Sequence, residues 1–98
     1  MRGVAIVPLA RAVLNELRPE DRESILEDLR ELEQAAGQPG FVPTDWGIVV
    51  RGFSEVYRSP VGRRGRWRAY WQLPPADPRP LHHVIVLEIE TAAPPLVL

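Results

Sequence analysis

The spacing of hydrophobic and polar positions changes several times along the chain, and each change marks an element. Val4 to Val7 is a short apolar run that reads as a strand. Pro8 suits the first turn of a helix, where a missing N–H costs nothing. Ala10, Val13, Leu14 and Leu17 then recur at helical spacing, which predicts a short helix ending near Arg18. A helix of that length is marginal alone and needs a surface to pack against. Pro19, Glu20 and Asp21 open a second helix, with the acids at the positive end of its dipole. Ile25, Leu26, Leu29, Leu32 and Ala36 form its apolar stripe, and Glu23, Glu27, Asp28, Arg30, Glu31 and Glu33 are assigned to its polar side. Gly37 reads as a left-handed stop reinforced by Pro39, and the tight Arg18–Pro19 joint makes the pair a helical hairpin.

Residues 37–47 are rich in glycine and proline and read as a loop. Trp46, Ile48, Val49 and Val50 read either as the start of a strand or as a cover over the core. Three strands are expected beyond Gly52. The first is Phe53 to Arg58, ended by Ser59–Pro60 because proline cannot donate to a ladder. The second, Arg66 to Leu73, alternates Trp67, Ala69, Trp71 and Leu73 on one face with Arg66, Arg68, Tyr70 and Gln72 on the other. The third is His82 to Ile89, with His83, Ile85, Leu87 and Ile89 on one face and His82, Val84, Val86 and Glu88 opposite.

These elements predict one α+β domain spanning residues 1–98. It comprises an N-terminal strand, a helical hairpin and a three-stranded antiparallel meander, with the helices covering one sheet face. The uncovered face presents Arg58, Arg66, Arg68, Tyr70 and Glu88. Residues 91–98 form an apolar, proline-containing tail that reads as either flexible or partner-binding.

Charge sharpens this picture. All twelve basic residues are arginine, so every cation is a rigid fork suited to phosphate. The net charge of -1 hides an asymmetry: residues 11–33 hold four arginines and eight acids, whereas residues 51–79 hold seven arginines and two acids. Such a split is a statement about steering of partners, not about fold. There is no cysteine and no apolar run near the about 20 residues that span a bilayer, and Pro8 and Arg11 interrupt the apolar stretch that follows Arg2. A cytoplasmic protein without membrane partners is expected.

Metal and cofactor chemistry find no support. His82 and His83 are adjacent, and neighbours on a strand point to opposite faces. Gly37-Gln38-Pro39-Gly40 is a cluster of breakers, not a dinucleotide fingerprint. The strongest functional signal is the basic segment, where Arg63, Arg64, Arg66 and Arg68 are interleaved with Trp67 and Tyr70. Arginines contact phosphates and exposed aromatics stack on bases. Trp67 alternates with apolar residues and reads as core, so Tyr70 is the surface aromatic. Metal-independent RNA cleavage needs a base for the 2′-hydroxyl, an acid for the leaving oxygen and cations for the phosphorane-like charge. Arg58 and Arg68 are candidates for the cations, Glu88 or His82 for the base, and His82 or Tyr70 for the acid. Arg63, Arg64 and Arg66 are candidates for RNA binding. The plainer alternatives are a Glu88–arginine ion pair and an exposed His82 at the start of a strand.

Three stretches together resemble the RelE/ParE superfamily of toxins, in particular its HigB-like, phage-derived branch. Val4–Ala5–Ile6–Val7–Pro8–Leu9–Ala10–Arg11 looks like that family's strand-then-helix opening, and Arg18 to Leu32 like its second helix. Gly52–Phe53–Ser54–Glu55–Val56–Tyr57–Arg58, then Gly65–Arg66–Trp67–Arg68–Ala69–Tyr70–Trp71, then His83 to Ile89, look like its sheet core. The resemblance implies a small antiparallel sheet packed by two helices. It implies an endoribonuclease toxin of a type II toxin–antitoxin pair, with mRNA or the ribosome as target and a cognate antitoxin as partner. Other implied roles are gyrase poisoning, or an inactive homologue that binds protein, with a homodimer among the partners. Arg58 and Arg68 match the family's strand arginines and Tyr70 a frequent aromatic. Glu88 to Pro94 differs from that branch, placing acids where it carries phenylalanine and lysines.

Overall fold

A computed structural model describes residues 4–50, 55–74 and 82–92. In order, the elements are β1 (Ala5–Ile6), α1 (Pro8–Asn15), α2 (Pro19–Ala36), β2 (Ile48–Val49), β3 (Val56–Val61), β4 (Trp67–Gln72) and β5 (Ile85–Thr91). Short 3-10 turns at Pro43–Asp45 and Arg63–Gly65 precede β2 and β4. The expected α+β architecture of N-terminal strand, helical hairpin and helix-backed sheet is observed. The sheet, however, has five strands in the order β1-β5-β4-β3-β2. β2 extends the meander at one edge, and β1 closes the other by pairing parallel to β5, with Ala5 opposite Ile85.

Both helices begin as the sequence suggests. Pro8 and Pro19 occupy first-turn positions, and Glu20 and Asp21 lie in the first turn of α2. Ala10 and Leu14 from α1 and Ile25, Leu29 and Leu32 from α2 meet Val61, Ala69, Trp71, Val84, Val86 and Ile89 in one buried cluster. Trp67 and Leu73 pack against it, as the alternation along β4 requires.

Four local expectations are corrected. β3 does not stop at Ser59–Pro60; it runs through both to Val61. Pro60 lies beyond the register of β2, whose partners are Tyr57 and Arg58, so its missing N–H falls on an unpaired edge. Phe53 and Ser54, the expected start of that strand, lie outside the described residues. The phase of β5 is also different. Val84, Val86 and Ile89 are buried, because the register shifts between Tyr70, opposite Glu88, and Trp71, opposite Val86. Leu87 is the extra residue of a bulge, so no strict alternation runs from His83 to Ile89.

The third correction concerns Gly37, which ends α2 with φ -81°, not in the left-handed region. Its glycine is needed for space: a Cβ there would lie 2.9 Å from His83 Cε1. The fourth is Glu33, which is not on the polar side of α2. It is 7% exposed and its two oxygens accept the backbone N–H of His83 at 2.9 and 2.8 Å and the His83 ring Nδ1 at 2.7 Å. The N–H of Val84 adds a longer contact of 3.3 Å. A buried carboxylate is tolerable only when donors surround it, and here those donors fasten the end of α2 to the entry of β5. Among the described residues, no helix is long and apolar enough to cross a membrane.

Candidate nucleic-acid interface

The sheet face away from the helices is set by the registers. Tyr57, Ser59 and Val61 of β3 and Trp67, Ala69 and Trp71 of β4 turn toward the core. Arg58 and Pro60, and Arg68, Tyr70 and Gln72, therefore turn outward. Arg58 lies directly opposite Tyr70, and Pro60 opposite Arg68. On the other side of β4, Tyr70 faces Glu88 and Arg68 faces Glu90. The outer face thus brings together four of the five proposed catalytic residues, Arg58, Arg68, Tyr70 and Glu88. Arg58 and Arg68 line one shallow concavity of about 300 Å³ with Gly47, Ile48, Pro60, Gly65 and Ala92. Among the described residues Arg58 makes no ion pair, so its guanidinium is available to an anion.

His82 is not brought to this group. It precedes β5, whereas Arg68 pairs with Glu90 near the strand's far end. At about 3.3 Å per residue, that separation is on the order of 20 Å. The basic turn is also divided. Arg63, Arg64 and Arg66 are all exposed, and Arg64 holds a left-handed φ of 58° that lets the chain reverse between β3 and β4. Arg63, however, borders the α2 side of the molecule, in a hollow shared with Glu20, Glu23, Glu27 and Asp28. Phosphate approaching Arg63 meets those carboxylates, so Arg63 is the weakest of the proposed RNA contacts.

Two groups escaped sequence reasoning, one on this face and one where α2 meets the entry of β5. The first is Glu90. Tyr70 donates its hydroxyl proton to Glu90 Oε1 at 2.6 Å, and Arg68 Nη1 lies 3.8 Å from the same oxygen. Both side chains of that ion pair remain substantially exposed, at 40% for Arg68 and 39% for Glu90. Glu88, the carboxylate that the sequence pattern favours, is the more exposed of the two and forms no ion pair among the described residues. The signal for Glu90 was an antiparallel register that sets it against Arg68, and a bulge hides that register from a count of alternate positions. The second is the Glu33–His83 contact. Its signal was spacing: Glu33 falls four positions after Leu29, on the apolar stripe.

Among the described residues, no three histidine, aspartate or glutamate side chains are grouped so as to hold a metal ion. The edge of the sheet next to the cationic face is apolar. Ile48 and Val49 of β2 are 56% and 52% exposed, and Val42 and Trp46 in the preceding segment are exposed too. No family model, no curated protein and no solved structure matches this chain.

Proposed function

We propose that this protein acts on RNA through its outer sheet face, as the toxin member of a type II toxin–antitoxin pair with metal-independent endoribonuclease activity. The observation that carries the reading is the placement of Arg58 and Arg68 in one open concavity on the face the helices leave uncovered. Two guanidinium groups with Tyr70 beside them suit a phosphodiester and an adjacent base. The exposed Arg64 and Arg66 extend the positive potential along a backbone. The order of strand, helical hairpin and sheet is the one expected from the RelE/ParE resemblance, which supplies the toxin assignment and an mRNA or ribosomal target. Incubation of the purified protein with ribosomes and mRNA tests the reading. Cleavage by the wild type that is lost in Arg58→Ala/Arg68→Ala supports it, and intact message across several transcripts refutes it.

A second reading is a protein-binding module of the same fold that cleaves nothing. The exposed apolar edge strand of Ile48 and Val49 favours it, because such an edge suits an added strand from a partner. Co-expression with any small gene found to adjoin its own separates the two. A harmless lone chain that forms a stable complex supports the module, and growth arrest relieved by the neighbour supports the toxin and its antitoxin.

A further inference from the structure

The hydroxyl of Tyr70 and the guanidinium of Arg68 converge on a single oxygen of Glu90, at 2.6 and 3.8 Å. No other carboxylate among the described residues touches two of the proposed site residues. Glu88 lies across the strand pair from Tyr70 without an ion pair, and His82 lies at the opposite end of the sheet. Both contacts to Glu90 use Oε1, which leaves Oε2 to a ligand on this half-exposed face.

We infer that Glu90 is the proton acceptor of the site and that Tyr70 is its paired acid, the two forming a closed proton circuit. The inference rests on the reading that this face acts on RNA. In the reaction, Glu90 Oε2 takes the proton of a 2′-hydroxyl as that oxygen attacks the adjacent phosphorus. The P–O2′ bond forms and the P–O5′ bond breaks. Tyr70 delivers its proton to the departing O5′, and Arg58 and Arg68 hold the charge that builds on the non-bridging oxygens. The products are a 2′,3′-cyclic phosphate and a 5′-hydroxyl. Glu90 is then protonated and Tyr70 is a phenolate. Rotation of the Glu90 carboxyl brings its protonated oxygen to the phenolate and returns the proton there, and both groups recover their starting state. No metal, oxidant or external proton carrier enters the balance.

The short Tyr70–Glu90 contact fits this circuit for a physical reason. While Glu90 is ionised it holds the Tyr70 proton by a charge-assisted bond. Once Glu90 accepts the 2′-proton, that hold weakens and the Tyr70 proton is released toward the leaving oxygen. Deprotonation of the nucleophile and protonation of the leaving group are thereby coupled through one carboxylate.

The test uses the full chain and a labelled RNA under single-turnover conditions, with binding measured separately on the fully 2′-O-methylated RNA, which cannot be cleaved. Glu90→Gln is expected to slow cleavage by roughly 10²- to 10⁴-fold, the range for loss of a general base. It should bind the methylated RNA at least as tightly as the wild type, since a negative charge has been removed. Glu16→Gln, which removes an exposed carboxylate at the end of α1, away from the site, should cleave within about threefold of the wild type. Tyr70→Phe should be slow on ordinary RNA and regain its rate on a substrate with sulfur in place of O5′ at the mapped cut, because a thiolate leaves without an acid. Glu90→Gln should gain nothing from that substrate. Glu90→Gln cleaving at the wild-type rate, or Tyr70→Phe unrescued by sulfur, overturns the proton circuit and leaves RNA cleavage by this face standing. A wild type that binds RNA and does not cleave it overturns the circuit and the nuclease reading together. Absence of both binding and cleavage removes the RNA reading itself.

Discussion

The indole N–H of Trp71 donates to Ser59 Oγ at 2.8 Å inside the core, and the Ser59 hydroxyl in turn donates to the Trp46 carbonyl at 2.6 Å. One small hydroxyl therefore satisfies the only polar side-chain atom of a fully buried tryptophan and pins the loop that leads into β2. It also explains why β3 continues through a serine–proline pair. Ser59 is needed on the inner face, and Pro60 falls on the outer one.

Ser59→Ala leaves Trp71 Nε1 buried with no acceptor. The expected loss is about 1–3 kcal/mol of stability, the cost of an unsatisfied buried donor. Urea unfolding measures the loss. Amide exchange should also quicken in the loop around Trp46, while a merely local effect would leave that loop unchanged.

Glu33→Ala removes the acceptor for two backbone N–H groups and the His83 ring. A penalty of about 1–3 kcal/mol is expected for the donors left behind. Hydrogen exchange at His83 and Val84 should accelerate more than at Ile89, which lies on the same strand but past the bulge. Equal acceleration at all three would show that Glu33 does not hold the entry of β5.

Gly62 has φ +80°, and a Cβ there would come within 2.8 Å of Trp67 Cδ1 and 3.1 Å of Ile25 Cγ1. Its N–H also donates to Asp28 Oδ2 at 2.7 Å, tying the β3–β4 turn to α2. Gly62→Ala should lower stability by about 2 kcal/mol, through left-handed strain and a crowded Trp67. Thermal unfolding of Gly62→Ala beside Gly40→Ala separates the two causes. Gly40 shares the positive φ, with nothing within 4 Å of the added carbon, so it should lose only the strain.

If Arg58 and Arg68 each neutralise one phosphate, Arg58→Ala/Arg68→Ala should reduce the slope of log affinity against log salt. The expected reduction is about 1.4 for single-stranded RNA. Titrations of the 2′-O-methylated RNA at several salt concentrations measure it. An unchanged slope would place the bound backbone elsewhere. Arg63→Ala should change the slope least, given the carboxylates around it.

Elements with a strong period or a stiff boundary are legible in the sequence alone. Pro8 and Pro19 open their helices, the stripe from Ile25 to Leu32 faces the core, and β4 alternates cleanly through Trp67, Ala69 and Trp71. What the sequence hides is set by distant partners. β2 is two residues long and takes its strand character from Tyr57 and Arg58. The phase of β5 depends on a bulge fixed by β4, and a period-two count cannot see an inserted residue. Glu33 contradicts its own stripe because its partners, His83 and Val84, are fifty positions or more away along the chain. At the candidate site, Arg58, Arg68 and Tyr70 follow from alternation alone. Glu90 requires the register, and His82 loses its place once the length of β5 is known.

The parallel pairing of β1 with β5 has a temporal consequence. Ala5 and Ile6 are synthesised long before Ile85 and Val86, their partners, and every other element of the sheet is made in between. α1 packs on β5 too, so β1 and α1 lack their sheet partner until the intervening strands and β5 itself have been translated. Contacts this remote in sequence make folding slow. Until translation reaches β5, the growing polypeptide offers a bare flank of β4 to chaperones or to other unfinished chains.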